Sequence, residues 1–350
     1  MSEDVRSRAG NEPRAGLLSE QPRATAPGAS PAYAAIDLGT NNCRLLIARP
    51  SVDGFRVVDS FSRIIRLGEG IMTTGRISDA AIDRAVAALT ICHNKIEARG
   101  VRRMRTIATE ACRAAENADA FLERITRETG VTLEIIDRET ESTLAAMGCS
   151  PLLDENAPGA ILFDIGGGST EVMRIARPEG QPHAAPLKGA WVSLPLGVVT
   201  LAERFGGIDV TPQSYAVMVE EVARHLAPFA AEQSDRLDNM HLLGTSGTVT
   251  TVAGVYLGLE RYDRRRIDGV WMSESDITRA IAQLMSMNYR QRSDNACIGA
   301  DRADLVLAGC AILDAIRRAF PLPRLRVADR GLREGMLVQM MRQDGFVQAA

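Results

Sequence analysis

The sequence predicts an α/β protein built of two similar lobes that face a common cleft. Three observations carry that prediction. A strand–turn–strand segment with an Asp at the head of a small-residue turn occurs twice, as Ile36–Pro50 (IDLGTNNCRLLIARP) and Phe163–Pro178 (FDIGGGSTEVMRIARP). Around each copy, short apolar runs of strand length alternate with stretches of helical periodicity. The chain, at 350 residues, is too long for one comfortable core and long enough for two. Internal repetition is a stronger guide to architecture than any single motif. The copies share an apolar–Asp–apolar–Gly opening, a small polar turn, an apolar strand and a closing Ala-Arg-Pro. The second copy is one residue longer, and Glu171 reads as the extra residue.

The second copy also suggests what the hairpins do. Ala160–Phe163 reads as a buried strand that ends at Asp164, with Gly166, Gly167, Gly168, Ser169 and Thr170 before Glu171. Three glycines in a row pack nothing, and each costs backbone entropy on folding. They suit a backbone that turns tightly and brings its N–H groups close to a ligand, since successive N–H groups form an anion nest. A carboxylate beside a phosphate in such a nest repels it unless a divalent cation lies between them. The segment therefore reads as a site for metal-bridged phosphate, with Asp37 followed by Gly39, Thr40, Asn41 and Asn42 as its counterpart in the first lobe. A tight hairpin with no ligand is the alternative, and the duplication weighs against it.

Composition narrows the function classes. The net charge is −3 with 24% charged residues, which argues against a nucleic-acid binder with its basic face. Only Lys95 and Lys188 are lysine among 41 basic residues, a bias that runs through the whole chain. The six cysteines form no CxxC pair and sit mostly in apolar runs, as reduced core cysteines do. The four histidines have no zinc spacing. The sequence has neither a membrane-length apolar run nor the apolar core of a secretory signal in its first thirty residues, so no membrane partner and a cytoplasmic location are expected.

Taken in order, Met1–Pro31 is broken by prolines, balanced in charge and expected to be disordered. Lobe I is expected over residues 32–138. Tyr33–Asp37 is its first core strand, Leu45–Arg49 returns antiparallel, and Phe55–Ser60 follows the Asp53-Gly54 turn. RLGEG, residues 66–70, offers Arg66 to a phosphate or to a surface ion pair. A helix capped by Ser78 runs to about Arg99, with Ile82, Val86, Leu89, His93 and Ile96 on its apolar stripe. Val101–Ala108 is a strand leading into Thr109-Glu110-Ala111-Cys112-Arg113. Asn117–Thr129 is a helix and Val131–Ile136 a strand.

Lobe II is expected over 139–335. At its junction with lobe I, Glu139 and Glu141 face the same side if the chain is still extended and diverge if a helix has begun. Helix-cap decoration is the plainer account of these acids. After the 160–178 hairpin, a loop leads to Val192–Gly197, where Gly197 either meets a ligand or turns. Pro212–Ala230 is a helix. Met240–Gly244 is a strand feeding Gly244, Thr245, Ser246, Gly247 and Thr248 before the helix Val249–Leu257. That is a third anion site at a helix N-terminus, and not a P-loop, because the lysine is missing. Arg264–Arg266 reads as a solvated basic loop. Helices follow at Ser275–Met287 and Arg302–Arg318, then a strand at Leu325–Ala328. A terminal helix, 336–348, is expected to pack back on lobe I.

The order and spacing of AIDLGTNNCRLLI (35–47), RLGEG (66–70), EIIDRETEST (134–143), FDIGGGSTE (163–171), PLG (195–197), LLGTSGT (242–248), DRAD (301–304) and DRGLREG (329–335) resemble the exopolyphosphatase/guanosine pentaphosphate phosphohydrolase family. The resemblance implies the actin-like, ribonuclease H-like fold of the acetate and sugar kinase/Hsp70/actin superfamily. It also implies Mg²⁺ as cofactor, Glu141 as the base for the attacking water, and Asp37 and Asp164 as residues that help hold the metal, with Glu171 assisting at metal or water. The glycine-rich turns and Gly197 would cradle phosphoryl oxygens, with Arg66 and Arg113 lining the cleft. Two departures stand out: DRETES (137–142) where SGEEEA is usual, and Asn42 where serine is usual. The chain reads as a short form without the helical domains of long members, and as a homodimer.

The expected activity is release of terminal phosphate from inorganic polyphosphate, with pppGpp 5′-phosphohydrolysis, or both activities, as the runner-up. Two other classes stay open: a (p)ppGpp-binding sensor without catalysis, and an actin-like small-molecule kinase, which would need an acceptor pocket and a nucleotide site.

Overall fold

The computed structural model describes residues 30–347 except Asp53, Pro182, His183 and Ala185. The disorder expected for Met1–Pro31 therefore falls almost wholly outside the described residues. So do part of the Asp53-Gly54 turn, Pro182 of the following loop and the last residue of the expected terminal helix.

The first lobe opens with β1 (Ala32–Leu38), β2 (Asn42–Ser51) and β3 (Gly54–Ile64), an antiparallel meander. A short turn of helix α1 (Ile71–Thr74) precedes α2 (Asp79–Ala98), where Ser78 accepts a hydrogen bond from the Ala81 N–H at 3.3 Å. Then come β4 (Val101–Ala108), α3 (Glu110–Ala114), α4 (Ala118–Thr129) and β5 (Glu134–Ile135). The last strand is shorter than the apolar run Val131–Ile136 suggests. Leu133 and Ile136 are buried at its flanks. The sheet order is β3-β2-β1-β4-β5, with β4 and β5 joined in parallel to β1.

Helix α5 (Arg138–Cys149) leads to β6 (Gly159–Ile165), β7 (Thr170–Ala176) and β8 (Leu187–Leu194). Next are α6 (Val198–Phe205), α7 (Pro212–Gln233), β9 (His241–Thr245), α8 (Gly247–Tyr256), α9 (Arg264–Ile267) and β10 (Trp271–Ser273). The chain ends with α10 (Glu274–Ser286), α11 (Tyr289–Asp294), α12 (Val306–Ala319), β11 (Arg324–Ala328) and α13 (Leu332–Gln343). The second sheet runs β10-β11-β9-β6-β7-β8. Its β8-β7-β6 meander, followed by parallel β9 and β11, repeats the plan of the first sheet.

Each sheet buries one face under its own helices. Ile82, Leu89, Phe121 and Ile125 cover the first sheet, and Val222, Leu226, Val252 and Ile312 the second. The inner faces are joined by α5 and α13. Leu144 of α5 packs with Met336, Leu337 and Met340 of α13 against Tyr33 and Leu46 of the first sheet, while Ala146 and Cys149 of α5 pack on the second. The helices approach through glycines: a Cβ on Gly148 would lie 2.0 Å from the Gly331 carbonyl oxygen, and one on Gly335 2.0 Å from that of Leu144. Helix α13 thus packs on β1 of the first sheet and begins at Leu332, several residues before the expected start. Among the described residues no helix is long and apolar enough to cross a membrane.

Candidate active site

The hairpins β1–β2 and β6–β7 set the geometry. Both turns hold four residues and close with the same bond, Gly39 N–H to the Asn42 carbonyl and Gly166 N–H to the Ser169 carbonyl, each at 2.9 Å. The register places Asp37 opposite Arg44 and Asp164 opposite Glu171. This corrects the reading of Glu171 as an inserted residue. Glu171 holds the position that Arg44 holds in the first lobe, and the two hairpins keep the same pairing out to Tyr33–Ala48 and Ala160–Ile175, so the closing Ala-Arg-Pro of the second copy lies one residue further along its strand. The turns also touch each other. A Cβ on Gly167 would lie 2.9 Å from Thr40 Cβ, so glycine is needed there for the lobes to meet as well as to expose backbone N–H groups.

Around these turns lies a cleft of about 500 Å³. Asp37, Gly39, Thr40, Asn41, Asn42, Glu141, Asp164, Gly166, Gly167, Gly168, Ser169, Glu171, Thr245, Ser246, Gly247 and Thr248 all line it. Asn41 Oδ1, Asn42 Oδ1 and Ser246 Oγ are buried on this wall without a hydrogen-bond partner. A buried polar atom left so costs roughly 1–3 kcal/mol, and three on one wall are the mark of a polar ligand's seat.

The carboxylates crowd one another. Asp164 is pushed up to about 7, by burial first and by Glu171 beside it, with Arg44 opposing. Burial also raises Asp37, against Arg44 and Arg333. Glu171 is buried and raised for the same reason, with hydrogen bonds from Ser169 and Ser193 pulling the other way; the Ser193 hydroxyl donates to it at 2.9 Å. Glu141 is raised well above the usual range by burial and by Glu171, with Arg113 opposing. Such a group of acids calls for a positive partner.

Helix α5 aims Glu141. The helix has already begun at Glu139, capped by Asp137, whose carboxylate accepts from the Thr140 N–H at 2.6 Å. The two glutamates therefore diverge: Glu139 is exposed and Glu141 points into the cleft with its side chain 14% exposed. Arg113 Nη2 donates to Glu141 Oε2 and to Glu110 Oε2, each at 2.8 Å, and Nη1 donates to the Ile136 carbonyl.

The remaining expected residues are placed differently. Arg66 is outside the cleft lining, with Nη1 and Nη2 paired to Asp304 at 2.8 and 2.9 Å across the lobes. Thr170 donates to the Leu196 carbonyl inside the core. The Gly197 N–H is taken by Thr200, and its bare Cα lies against Gly167. Gly244 packs beneath Phe163. Arg264 is not a solvated loop residue: it begins α9, donates to buried Glu334 at 2.9 Å and lines the cleft.

Sequence reasoning missed Arg44, Glu110, Tyr262, Arg302 and Arg333, all on the cleft wall. Arg44 was there to be found in the repeat, opposite Asp37. Arg302 Nη1 and Arg44 Nη2 both approach Gly247 at the start of α8, within 3.5 and 3.9 Å of where its Cβ would lie. Burial and repulsion from Arg44 depress Arg302. Two cations held together at a helix N-terminus form an anion site.

Among the described residues no three His, Cys, Asp or Glu side chains converge as a ready-made metal cage. Magnesium does not need one, because it is commonly held by one or two carboxylates together with substrate phosphate and water. Asp37 and Asp164 fit that donor set.

The Ppx/GppA phosphatase family model matches residues 46–344. The chain belongs to the Ppx/GppA phosphatase family. Among its relatives, "Exopolyphosphatase 2" of Mycobacterium tuberculosis is 28% identical over 324 residues, 88% of this chain and 98% of that protein. A "Guanosine-5'-triphosphate,3'-diphosphate pyrophosphatase" of Photobacterium profundum is 28% identical over 313 residues, 89% of this chain. The chain spans 60% of the length of the latter. The crystal structure of the Aquifex aeolicus Ppx/GppA family member is 28% identical and superposes with a TM-score of 0.73 over 90% of this chain and 98% of that one. An exopolyphosphatase from Cytophaga hutchinsonii, 24% identical, shares the fold with a TM-score of 0.81 over 89% of this chain and 98% of its own. The α/β architecture of two similarly built sheets expected from the sequence is the one this Ppx/GppA chain adopts.

Proposed function

We propose that the protein is a Mg²⁺-dependent exopolyphosphatase that hydrolyses the terminal phosphoanhydride bond of inorganic polyphosphate. The observation that carries the reading is Glu141, a buried carboxylate held by Arg113 at the edge of a cleft whose other walls are two backbone anion nests. Phosphoryl transfer to water asks a protein mainly for positioning and for stabilisation of charge. The terminal phosphate rests against the turns 39–42 and 166–169. Glu141 holds the attacking water and takes its proton, and its raised proton affinity makes it the stronger base. Magnesium, held by Asp37 and Asp164, would offset the charge of the phosphoryl oxygens. Glu171, fixed by Ser193, orients water beside it.

Hydrolysis of the 5′-γ-phosphate of pppGpp is the second reading, and the Arg44–Arg302 pair favours it. That pair gives a molecule with separated phosphate groups a second seat, with the Tyr262 ring on the same wall. Phosphate release from long-chain polyphosphate, pppGpp and ATP, each with and without Mg²⁺, tests both. Release from polyphosphate several-fold faster than from pppGpp supports the first reading, and the reverse order supports the second. Release from ATP alone, or from none of the three, contradicts both.

A further inference from the structure

The segment that departs from the family pattern, Asp137-Arg138, is built into the site. Asp137 caps α5, and Arg138 reaches across to Glu110, with Nη2 2.7 Å from Oε1 and Nε 3.2 Å from Oε2. Glu110 lines the cleft with only 14% of its side chain exposed. It also holds Arg113, through Nε at 3.0 Å and Nη2 at 2.8 Å, both on Oε2. The same Nη2 is the group that holds Glu141. Two arginines and two glutamates thus form one chain of ion pairs, Arg138–Glu110–Arg113–Glu141, with charges that balance.

We infer that Arg138 is a positioning residue for Glu141: by occupying Glu110 it keeps Arg113 turned toward the carboxylate that holds the attacking water. The inference rests on the reading of Glu141 as the group that holds the attacking water. Arg113 touches Glu110 through one oxygen only, because the other is held by Arg138. Without Arg138 that second oxygen is open, and a two-oxygen pairing with a carboxylate is the arrangement a guanidinium favours. Arg113 then rotates onto Glu110 and away from Glu141. The ion-pair chain becomes one charge more negative, but the charge removed is the solvent-screened one of Arg138, and Arg113 still neutralises Glu110. What is lost is the hold on Glu141. The effect therefore falls on kcat rather than on KM.

Arg138 is 44% exposed on its side chain, so its replacement leaves the core untouched. Arg138→Ala is expected to lower kcat for phosphate release by about tenfold, with KM changed by less than about threefold, the scale of a small misplacement of a reacting group. Arg138→Lys, which supplies a donor to Glu110 without the planar fork, is expected to recover most of the loss. The double variant Glu110→Gln/Arg138→Ala is expected to return kcat to within about threefold of wild type, because the competitor for Arg113 has gone. Unchanged kcat in Arg138→Ala, or a double variant worse than the single one, overturns the inference. A readout independent of activity separates it from the functional reading. The ¹⁵N side-chain Nε–H resonance of Arg113, assigned with Arg113→Lys, should shift in Arg138→Ala and return in the double variant. If wild type hydrolyses none of the substrates and the resonance still moves, the functional reading fails and the positioning role stands. If wild type is active and the resonance does not move, the positioning role fails alone.

Discussion

At the tips of the two hairpins the same acid meets different partners: Asp37 lies opposite Arg44, and Asp164 opposite Glu171. That single exchange gives the lobes different work. Lobe I presents an acid tempered by a guanidinium, and lobe II presents two carboxylates, of which Asp164 is pushed up to about 7. The side with the greater crowding of negative charge has the greater need of a cation. Asp164→Ala is accordingly expected to raise the Mg²⁺ concentration for half-maximal phosphate release by roughly tenfold or more. A magnesium titration of wild type and variant checks this, and superimposable curves contradict it. The acids and glycines of the site were legible because their residue types are wasteful anywhere else. Glu110 and Arg302 were not, because a lone charged residue in sequence has no sign that its partner lies far along the chain.

Among the elements, α5 decides the most. It carries Glu141 in its first turn and Leu144, Gly148 and Cys149 between the two sheets. Its start was ambiguous in sequence, since Asp137, Glu139 and Glu141 suit either an extended segment or a helix cap. The hydrogen bond of Asp137 to Thr140 resolves it in favour of the helix. The crossing with α13 depends on Gly148 and Gly335. Gly335→Ala places a methyl group against the Leu144 carbonyl, and overpacking of this kind is expected to cost roughly 1–3 kcal/mol or more. Urea denaturation measures it, and a variant as stable as wild type would show that the helices part freely. The start of β8 falls in the expected loop, and α6 was not expected as an element. Both lie in a stretch punctuated by Pro186, Pro195, Gly189 and Gly197, and β8 is an edge strand with half-exposed residues, so its apolar pattern is weak.

For the whole molecule, the duplicated sheet plan follows from the duplicated hairpin, and two apolar faces closed by α5 and α13 keep the cleft shut on one side. The open rim is clasped by Arg66 with Asp304, and by Glu203 accepting from the Gly70 N–H at 2.9 Å. Arg66 makes this contact from a backbone with a positive φ of 46°. If Arg66 serves the clasp, Arg66→Ala and Asp304→Ala should change KM and kcat alike, and the double variant should be no worse than either, the behaviour of a coupled pair. A rise in KM confined to Arg66→Ala would assign that side chain to phosphate instead. Architecture was legible in sequence because repetition and periodicity are written along the chain. The clasp was not, because RLGEG and DRAD carry no mark of each other.

The most direct test of the account is kcat for phosphate release by Glu141→Ala beside Glu139→Ala. The two residues share a helical turn and a charge, and differ in where they point. Loss of Glu141 is expected to lower kcat by roughly 10² to 10⁴, the usual worth of general base catalysis. Its affinity for polyphosphate should be unchanged or slightly tighter. Glu139→Ala should stay within about threefold of wild type, as surface changes away from a site do. A Glu141→Ala protein that releases phosphate at the wild-type rate, or a Glu139→Ala protein that is the inactive one, would contradict the account.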